Sequence, residues 1–257
     1  MTIHLNWRHN PSSPTQMASE KISDIIVFEN DHLIALNKPS GLLSIPDREG
    51  KELSLKEILL KQYSDIFTVH RLDRETSGLI IFAKNANAHK HFSQQFENRK
   101  TVKIYNGLVM GSILPTEGTV DAAIAENMVR RGTMIIHRRG KPAVTDYKVL
   151  ENFKIYSWVQ FQIHTGRTHQ VRIHAKELGH PLACDAIYGD GKPVFLSSFK
   201  SKFRLSKDIL EERPLLNRLA LHASRLEIED LNGDYLNLDA PFHKDLKATL
   251  QQLRKHK

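Results

Sequence analysis

The chain has 257 residues, a formal net charge of +8 and a single cysteine, Cys184. A positive charge of this size is typical of proteins that bind polyanions such as nucleic acids. One cysteine excludes an intramolecular disulfide and, with an N-terminus that lacks the apolar segment of a secretory signal, predicts a cytoplasmic protein. No apolar run approaches the length of a membrane span, so we expect no membrane partner.

The N-terminal part of the chain changes character near residue 22. Residues 1–21 are polar, contain two prolines and several serines, and predict a flexible arm. Short apolar runs follow at 25–28 and 33–36, and the residues Asn30 and Asp31 between them are typical of turns. The sequence therefore predicts an N-terminal arm and, directly after it, two strands joined by a turn.

Three later segments space their apolar residues on one helical face: 54–63, 85–99 and 168–181. Asn85 is a candidate N-cap for the second helix. In the third, Thr168 can cap the start and Gly179 lies where a C-terminal glycine cap belongs. We therefore expect Arg167, just before the third helix, to face whatever lies at the positive end of that helix.

The remaining apolar segments have strand character. Residues 79–83 form a continuous apolar run typical of a strand buried on both faces, and 158–164 alternates apolar and polar residues. Strands outnumber helices, and the two types do not alternate regularly. We therefore predict a single α+β domain over residues 22–257, built on a mixed sheet flanked by helices and loops.

The loop before the apolar run 79–83 reads HRLDRETSG and places Asp73 between Arg71 and Arg74. An isolated pattern of this kind is usually a surface ion pair. Here the loop leads into a core strand, and ionising a carboxylate near buried surface is unfavourable unless a cation compensates. This combination indicates that Asp73 is a preorganised catalytic carboxylate.

Metal and nucleotide sites find little support. Four histidines, His164, His169, His174 and His180, lie close together in the chain, but their spacings match no helical zinc pair. Nothing near Cys184 marks it as a reactive thiolate, and no phosphate-binding glycine motif is present. We therefore expect neither a metal nor another cofactor.

A basic segment follows in the middle of the chain. It carries Arg130, Arg131, Arg138 and Arg139 around a short apolar centre and predicts a hairpin with basic ends. Such a hairpin is either a solvated charged surface or a grip on several phosphates, and the overall charge favours phosphates.

The loop at 70–78 resembles the H-R-L-D-x-x-T-S-G signature of the RluA-type pseudouridine synthases without a mismatch. Four further blocks resemble that family in its own order: LNKPSGL (36–42), KIYNGLVMG (103–111), TGRTHQVRIHAKELGHPLACDAIYG (165–189) and LHASRL (221–226). Cys184 stands where the family usually has glycine, and His243 where proline is common.

The resemblance implies a monomeric enzyme on a mostly antiparallel sheet that isomerises uridine in structured rRNA or tRNA without a cofactor. Asp73 would attack the ribose C1′ or remove a ribose proton, with the target base flipped out of the RNA. Arg167 would be its counter-charge, because an adjacent cation lowers a carboxyl pKa. Tyr105 would pack on the base and assist proton removal from C5. Arg71 would fill the gap left by the flipped uridine. Independently of the resemblance, the charges of Arg71 and Arg74 add to those that favour RNA binding.

Two other classes of protein remain open. A non-catalytic RNA-binding protein would tolerate loss of Asp73, Tyr105 or Arg167, yet all three are present. A glycosidase-like hydrolase needs a second carboxylate at a suitable separation, and Glu75 is too close in sequence to serve. Some relatives carry an extra N-terminal RNA-binding module of the S4 type, and we expect the catalytic domain alone here.

Overall fold

The computed structural model describes residues 22–47, 50–205 and 211–257, so the arm predicted at 1–21 lies outside the described residues. The strands are β1 (Ile26–Glu29), β2 (Leu33–Lys38), β3 (Phe67–Thr68), β4 (Ser77–Ala83), β5 (Val102–Met110), β6 (Glu117–Asp121), β7 (Ile124–Glu126), β8 (Met134–Ile136), β9 (Val144–Asn152), β10 (Tyr156–Ile163), β11 (Leu221–Glu229) and β12 (Tyr235–Asp239). The helices are α1 (Leu55–Leu59), α2 (Ala86–Glu97), α3 (Gln170–Glu177) and α4 (Lys244–Lys255).

Ten of these strands form one sheet, whose main path runs β1-β2-β4-β11-β5-β10-β9-β6. Strands β12 and β3 pair with β11 and β4, and β7 and β8 form a separate hairpin. Only the β4–β11 pair is parallel among the described strands. The predicted α+β fold on a mixed, mostly antiparallel sheet is therefore confirmed.

Strand β4 shows why its sequence is apolar throughout. All seven of its residues are buried. Ile80 and Phe82 belong to one hydrophobic cluster, which includes Leu55 and Leu59 of α1. Leu79, Ile81 and Ala83 belong to another, which includes Ala88 and Phe92 of α2. Because successive side chains of a strand point to opposite faces, the strand is covered on both sides, as predicted.

The helix boundaries confirm most of the predicted signals and correct two. The Asn85 side chain accepts a hydrogen bond from the Ala88 backbone and caps α2. After α3, Gly179 adopts a φ of +80 and closes the helix end. Thr168 is not the N-cap of α3, because His169 occupies that position. Helix α1 ends at Leu59, so Tyr63 lies beyond it.

The basic hairpin is built differently from the prediction. The apolar centre of the predicted hairpin is the single strand β8, and its antiparallel partner β7 lies upstream. Arg130 and Arg131 lie in the connection between the two strands, whereas Arg138 and Arg139 lie in the turn that follows β8. All four arginines are exposed.

Within the described ranges, no helix combines the length and the apolar character needed to cross a membrane.

Candidate active site

The backbone around Asp73 is held by the segment 38–44, which overlaps the LNKPSGL block (36–42). The Ser44 hydroxyl bonds to both the carbonyl and the N–H of Leu72, at 2.8 and 3.1 Å. The Gly41 N–H donates to the Arg74 carbonyl at 2.9 Å, and the Ser40 hydroxyl donates to the Glu75 carbonyl at 2.6 Å. These bonds hold the chain on both sides of Asp73, so its side chain leaves from a rigid backbone.

Lys38 forms the centre of this support. Its side chain is fully buried, and its Nζ donates to the carbonyl oxygens of Pro39, Leu42 and Arg74 at 2.9–3.0 Å. Burial lowers the pKa of Lys38 to about 7, partly opposed by the charges of Glu75 and Asp73. The lysine therefore joins two loops: it is the donor to the carbonyls of Pro39 and Leu42 and a second donor, besides the Gly41 N–H, to the carbonyl of Arg74.

Gly78 ends the loop where β4 runs beside β11. Its φ is +110, and a Cβ atom there would lie 2.2 Å from the Ala223 carbonyl oxygen. No other residue fits this close approach of two backbones. The glycine of the motif thus sets the distance between the Asp73 loop and the centre of the sheet.

Asp73 lines a cavity of about 270 Å³. The cavity has two walls and a base formed by the sheet. We call the first the Asp73 wall; it comprises the lining residues Arg71, Leu72, Asp73 and Thr76. The second, the Arg167 wall, comprises Ile163, Gly166, Arg167, Thr168, His169, Gln170, Val171 and Arg172. Tyr105 and Leu221 line the base. The cavity has roughly the size of a small-molecule site.

The Asp73 side chain is 22% exposed. Neither of its carboxylate oxygens has a hydrogen bond within the described part of the chain, and its nearest ion-pairing partner is the His169 Nε2, 4.0 Å from Oδ2. The carboxylate is therefore free to contact a ligand in the cavity.

Tyr105 lies on β5, opposite Ala223 of β11 and Phe161 of β10. Burial, and then the negative charge of Asp73, raise the pKa of Tyr105. The phenol therefore keeps its proton at neutral pH and presents an aromatic face and a hydrogen-bond donor to the cavity.

The start of the Arg167 wall is organised by Gln170. Its Oε1 accepts from the Thr165 hydroxyl at 2.7 Å and from the Arg167 N–H at 3.0 Å. Its Nε2 donates to the Val144 carbonyl and to the Thr145 hydroxyl, both at 2.9 Å. One buried amide thus ties the turn before α3 to strand β9.

Arg167 lies in the cavity wall, as predicted, but its expected ion pair with Asp73 is absent from the described residues. Its Nε donates to the Pro142 carbonyl at 3.1 Å instead. That bond ties the Arg167 side chain to the loop before β9, and the two charged groups line the cavity without an ion pair between them.

Arg71 and Arg74 have different surroundings although both flank Asp73. Arg71 is exposed at the cavity edge. The Arg74 side chain instead donates to the Gly41 carbonyl at 3.1 Å and pairs with Glu52 at 2.9 Å. Arg74 does not line the cavity. Of the two predicted RNA-binding arginines that flank Asp73, only Arg71 lines the cavity.

Three residues of the 165–189 block that the sequence alone did not single out support the Arg167 wall. Arg172 and Asp185 form a buried bidentate ion pair at 2.7 and 2.8 Å. Burial opposes ionisation of Asp185, but the bonds to Arg172 outweigh it and lower the pKa of the carboxyl. The Arg172 guanidinium lies 5.2 Å from the centre of the Tyr188 ring, which packs against His169.

The four neighbouring histidines bond to separate groups. His164 bonds to Asp146, His169 to the Tyr188 hydroxyl, His174 to Thr145 and the Ala122 carbonyl, and His180 to the Met110 carbonyl. Among the residues that the structure describes, no cluster of three metal-ligating side chains occurs.

Cys184 occupies a left-handed conformation with a φ of +60. Glycine adopts this conformation without strain, which explains why the resembled family favours glycine at the position. The thiol is buried, and burial raises its pKa to about 12. His243, at the second departure, has a φ of −63, which is within the range of proline.

The chain is similar in sequence to a known family and to known proteins. A family model described as RNA pseudouridylate synthase matches residues 32–177. The ribosomal large subunit pseudouridine synthase D of Haemophilus influenzae is 33% identical over 247 residues, covering 93% of this chain and 74% of that protein. Its counterpart of the same name in Nitrosomonas europaea is 35% identical, covering 92% and 67%.

A similar fold occurs among solved structures. The human RNA pseudouridylate synthase domain containing 4 has a TM-score of 0.70 and 26% sequence identity, covering 94% of this chain and 96% of that chain. The human RNA pseudouridylate synthase domain containing 1 has a TM-score of 0.66 and 25% identity, covering 91% and 96%.

Proposed function

The chain belongs to the RNA pseudouridylate synthase family, and we propose that it isomerises uridine in RNA with Asp73 as the catalytic carboxylate. The observation that carries this assignment is a carboxylate on a rigid loop, facing a cavity and free of any hydrogen bond in the described chain. A structural aspartate at this depth would be paired. An unpaired one is available to a substrate.

The reaction requires little beyond such a group. The bond between ribose C1′ and uracil N1 breaks, uracil turns, and a bond between C1′ and C5 forms, while the C5 proton is lost and N1 gains one. Asp73 starts this either by attacking C1′ or by removing a ribose proton, and both routes need an ionised carboxylate aimed at the sugar. The product is an isomer of the substrate, so no external electron or group donor enters the balance.

Tyr105 packs on the target base in this proposal. Its raised pKa disfavours the phenolate that proton removal from C5 would require, so the neutral ring serves as a stacking surface. Leu221 lines the cavity beside Tyr105, on the side that the sheet forms, and adds apolar contact with the uracil ring.

The cavity accepts a single nucleotide, so the target uridine leaves its stack to reach Asp73. Arg71, exposed at the cavity edge, is positioned to occupy the space that the flipped base leaves in the RNA. Arg167 contacts the flipped nucleotide from the opposite wall with the guanidinium nitrogens that have no bond within the described chain.

The substrate we propose is ribosomal RNA of the large subunit, since the relatives that carry a substrate in their names are large-subunit synthases. The four exposed arginines of the β7–β8 hairpin region supply phosphate contacts outside the cavity. We further propose that the protein acts as a monomer in the cytoplasm, where ribosomal RNA is modified.

Mapping pseudouridine across total RNA tests the function. Cells that lack the gene should lose the modification at one or a few positions, and the wild-type gene should restore it. A gene carrying Asp73→Asn should not. If no position changes, the chain does not act as a synthase in those cells, which would favour a non-catalytic RNA-binding role. If Asp73→Asn restores the modification, another group supplies the carboxylate.

A further inference from the structure

His169 has an unusual backbone for a residue at the start of a helix. Its φ and ψ are +57 and +20, in the left-handed region, and its side chain makes no capping bond to α3. This conformation costs a non-glycine residue about 1–2 kcal/mol. Strain of this kind concentrates at functional sites. The His169 imidazole does not cap the helix and lines the cavity instead.

Tyr188 selects the tautomer of this imidazole. The Met134 N–H donates to the Tyr188 hydroxyl oxygen at 2.7 Å, and that hydroxyl lies 2.8 Å from the His169 Nδ1. Within the described part of the chain, Nδ1 is the only acceptor in reach of the phenolic proton. Burial raises the pKa of Tyr188, so the proton stays on the phenol. Nδ1 therefore accepts a hydrogen bond, and the ring proton of the neutral imidazole sits on Nε2.

The Nε2–H faces the catalytic carboxylate. Nε2 lies 4.0 Å from the Asp73 Oδ2, which is too long for a hydrogen bond but is closed by a shift of about 1 Å. Bonds of this type are often long in a free enzyme and shorten in the substrate complex. Burial lowers the pKa of His169 although the Asp73 charge opposes this, so the donor is uncharged at neutral pH.

The imidazole is held from several sides. The His169 and Tyr188 rings pack edge to face with centroids 5.5 Å apart, and the Arg172 guanidinium lies over the Tyr188 ring. Met134 belongs to β8, so the bond to Tyr188 also connects the ring pair to the hairpin. Such packing around a side chain is what keeps a donor in a fixed position beside a reacting group.

We propose that His169 is a positioning residue for Asp73. Its neutral Nε2–H tautomer, selected by Tyr188, bonds to Oδ2 when the nucleotide is bound and leaves Oδ1 directed at the ribose. This inference rests on the proposed function, because it takes Asp73 as the catalytic group. An uncharged donor orients the carboxylate and leaves its negative charge in place. A lysine or arginine ion pair would neutralise that charge.

The tautomer is tested first, on the free wild-type protein. Nitrogen-15 NMR of labelled histidine, assigned by comparison with His169→Asn, should show a neutral ring with the proton on Nε2 at pH 7. Tyr188→Phe keeps the edge-to-face ring packing but removes the hydroxyl, and it should leave a mixture of both tautomers of His169. A proton on Nδ1 in the wild type would contradict the proposal, whatever the activity.

Kinetics on an RNA substrate test the consequence. His169→Asn tolerates the left-handed backbone but cannot reach Oδ2, and it should lower kcat by about 10–100-fold with KM changed less than about threefold. His169→Gln retains a longer amide donor and should recover part of that loss. His174→Gln is the matched control, because it removes a buried histidine of the same helix that bonds only to Thr145 and the Ala122 carbonyl.

The outcomes separate the two proposals. If Asp73→Asn is inactive but His169→Asn retains the wild-type kcat, the positioning role fails and the catalytic role of Asp73 stands. If Asp73→Asn is active, the function proposed for Asp73 fails, while the NMR result still reports on the tautomer. If His174→Gln lowers kcat as much as His169→Asn does, the loss reflects helix packing, and the positioning role is wrong.

Discussion

The two walls of the cavity differ in which of their polar groups are hydrogen-bonded. On the Asp73 wall the backbone is tightly bonded to segment 38–44, while the carboxylate has no hydrogen bond within the described chain. On the Arg167 wall the side chains themselves are bonded: Gln170 uses both ends of its amide, and Arg172 is paired with Asp185.

This difference separates reactivity from stability. Buried polar groups normally stabilise a fold only when they are satisfied. The Arg167 wall follows that rule and forms a rigid surface. The Asp73 wall satisfies its backbone and leaves one carboxylate for the substrate. A rigid surface opposite an unsatisfied reactive group is the arrangement expected of a preorganised site.

The largest effect is expected from removing the reactive group. Asp73→Asn should lower turnover by roughly 10³-fold or more, because the amide has nearly the same shape but cannot act as a carboxylate. RNA affinity and melting temperature should stay close to wild type, since no hydrogen bond of the folded chain is lost. Turnover is measured on a short RNA and affinity in a binding assay. Residual turnover above a few per cent would contradict the assignment.

Lys38→Met tests the support behind the same wall. The carbonyls of Pro39 and Leu42 would lose their donor and that of Arg74 would lose one of its two, so the free energy of unfolding should fall by about 2–4 kcal/mol at pH 7. Denaturant titration measures this. Lys61→Met, which removes an exposed lysine, is the control and should have little effect.

The pH dependence of this difference has a definite sign. Burial lowers the pKa of Lys38 from 10.5 to about 7, so between these values the unfolded chain binds the proton more tightly than the folded protein does. The destabilisation caused by burying the protonated Lys38 is fully present below pH 7 and is lost as the pH rises. The unfolding free energy of the wild type minus that of Lys38→Met should therefore increase by roughly 1 kcal/mol per pH unit above pH 7. A difference that stays constant between pH 7 and pH 10 would mean that the three carbonyls keep the ammonium charged.

Arg167→Met tests whether the second wall acts on the substrate or on Asp73. Because Arg167 bonds to the Pro142 carbonyl and not to Asp73, we expect a loss of about tenfold in kcat/KM that is similar from pH 6 to 9. The pH–rate profiles of both proteins measure this. An acidic limb moved to higher pH in the variant would restore the counter-charge role that the sequence predicted.

The hairpin extends the second wall outward, since Met134 of β8 bonds to Tyr188. Replacing Arg130, Arg131, Arg138 and Arg139 by glutamine should weaken RNA binding. It should also reduce the slope of log affinity against log salt by roughly 3, as four phosphate contacts are lost. Arg74→Gln is the control, because that arginine is paired with Glu52 and should leave the slope nearly unchanged. An unchanged slope in the fourfold variant would place the RNA path elsewhere.

The smallest effect is expected from replacing Cys184, the residue before Asp185, by glycine. Cys184→Gly relieves the left-handed strain but removes a buried side chain, so the free energy of unfolding should stay within about 1 kcal/mol of wild type. Cys184→Val keeps the burial and adds a branched Cβ, and it should destabilise by about 2 kcal/mol or more. Equal stability of the two variants would show that the backbone there is unstrained.

Local patterns determined much of the fold. The apolar run of β4, the alternation in β10 and the Asn85 cap were predicted from the sequence because each depends on neighbouring residues alone. The Asp73 loop and Gly78 at its end could also be identified from the sequence, since they form one continuous motif. Resemblance to a family then supplied the partners Tyr105 and Arg167, and both line the cavity with Asp73.

The tertiary structure decided how charged groups are paired. Arg71 and Arg74 look equivalent in the sequence, yet Glu52 binds one of them and the cavity edge leaves the other free. Arg167 was expected to pair with Asp73, but the Pro142 carbonyl lies within its reach. His169 had only a place among four histidines until the fold put Tyr188 and Asp73 on its two sides. Electrostatic and hydrogen-bond partners depend on distances of a few ångströms between segments far apart in the chain, and a linear pattern does not contain those distances.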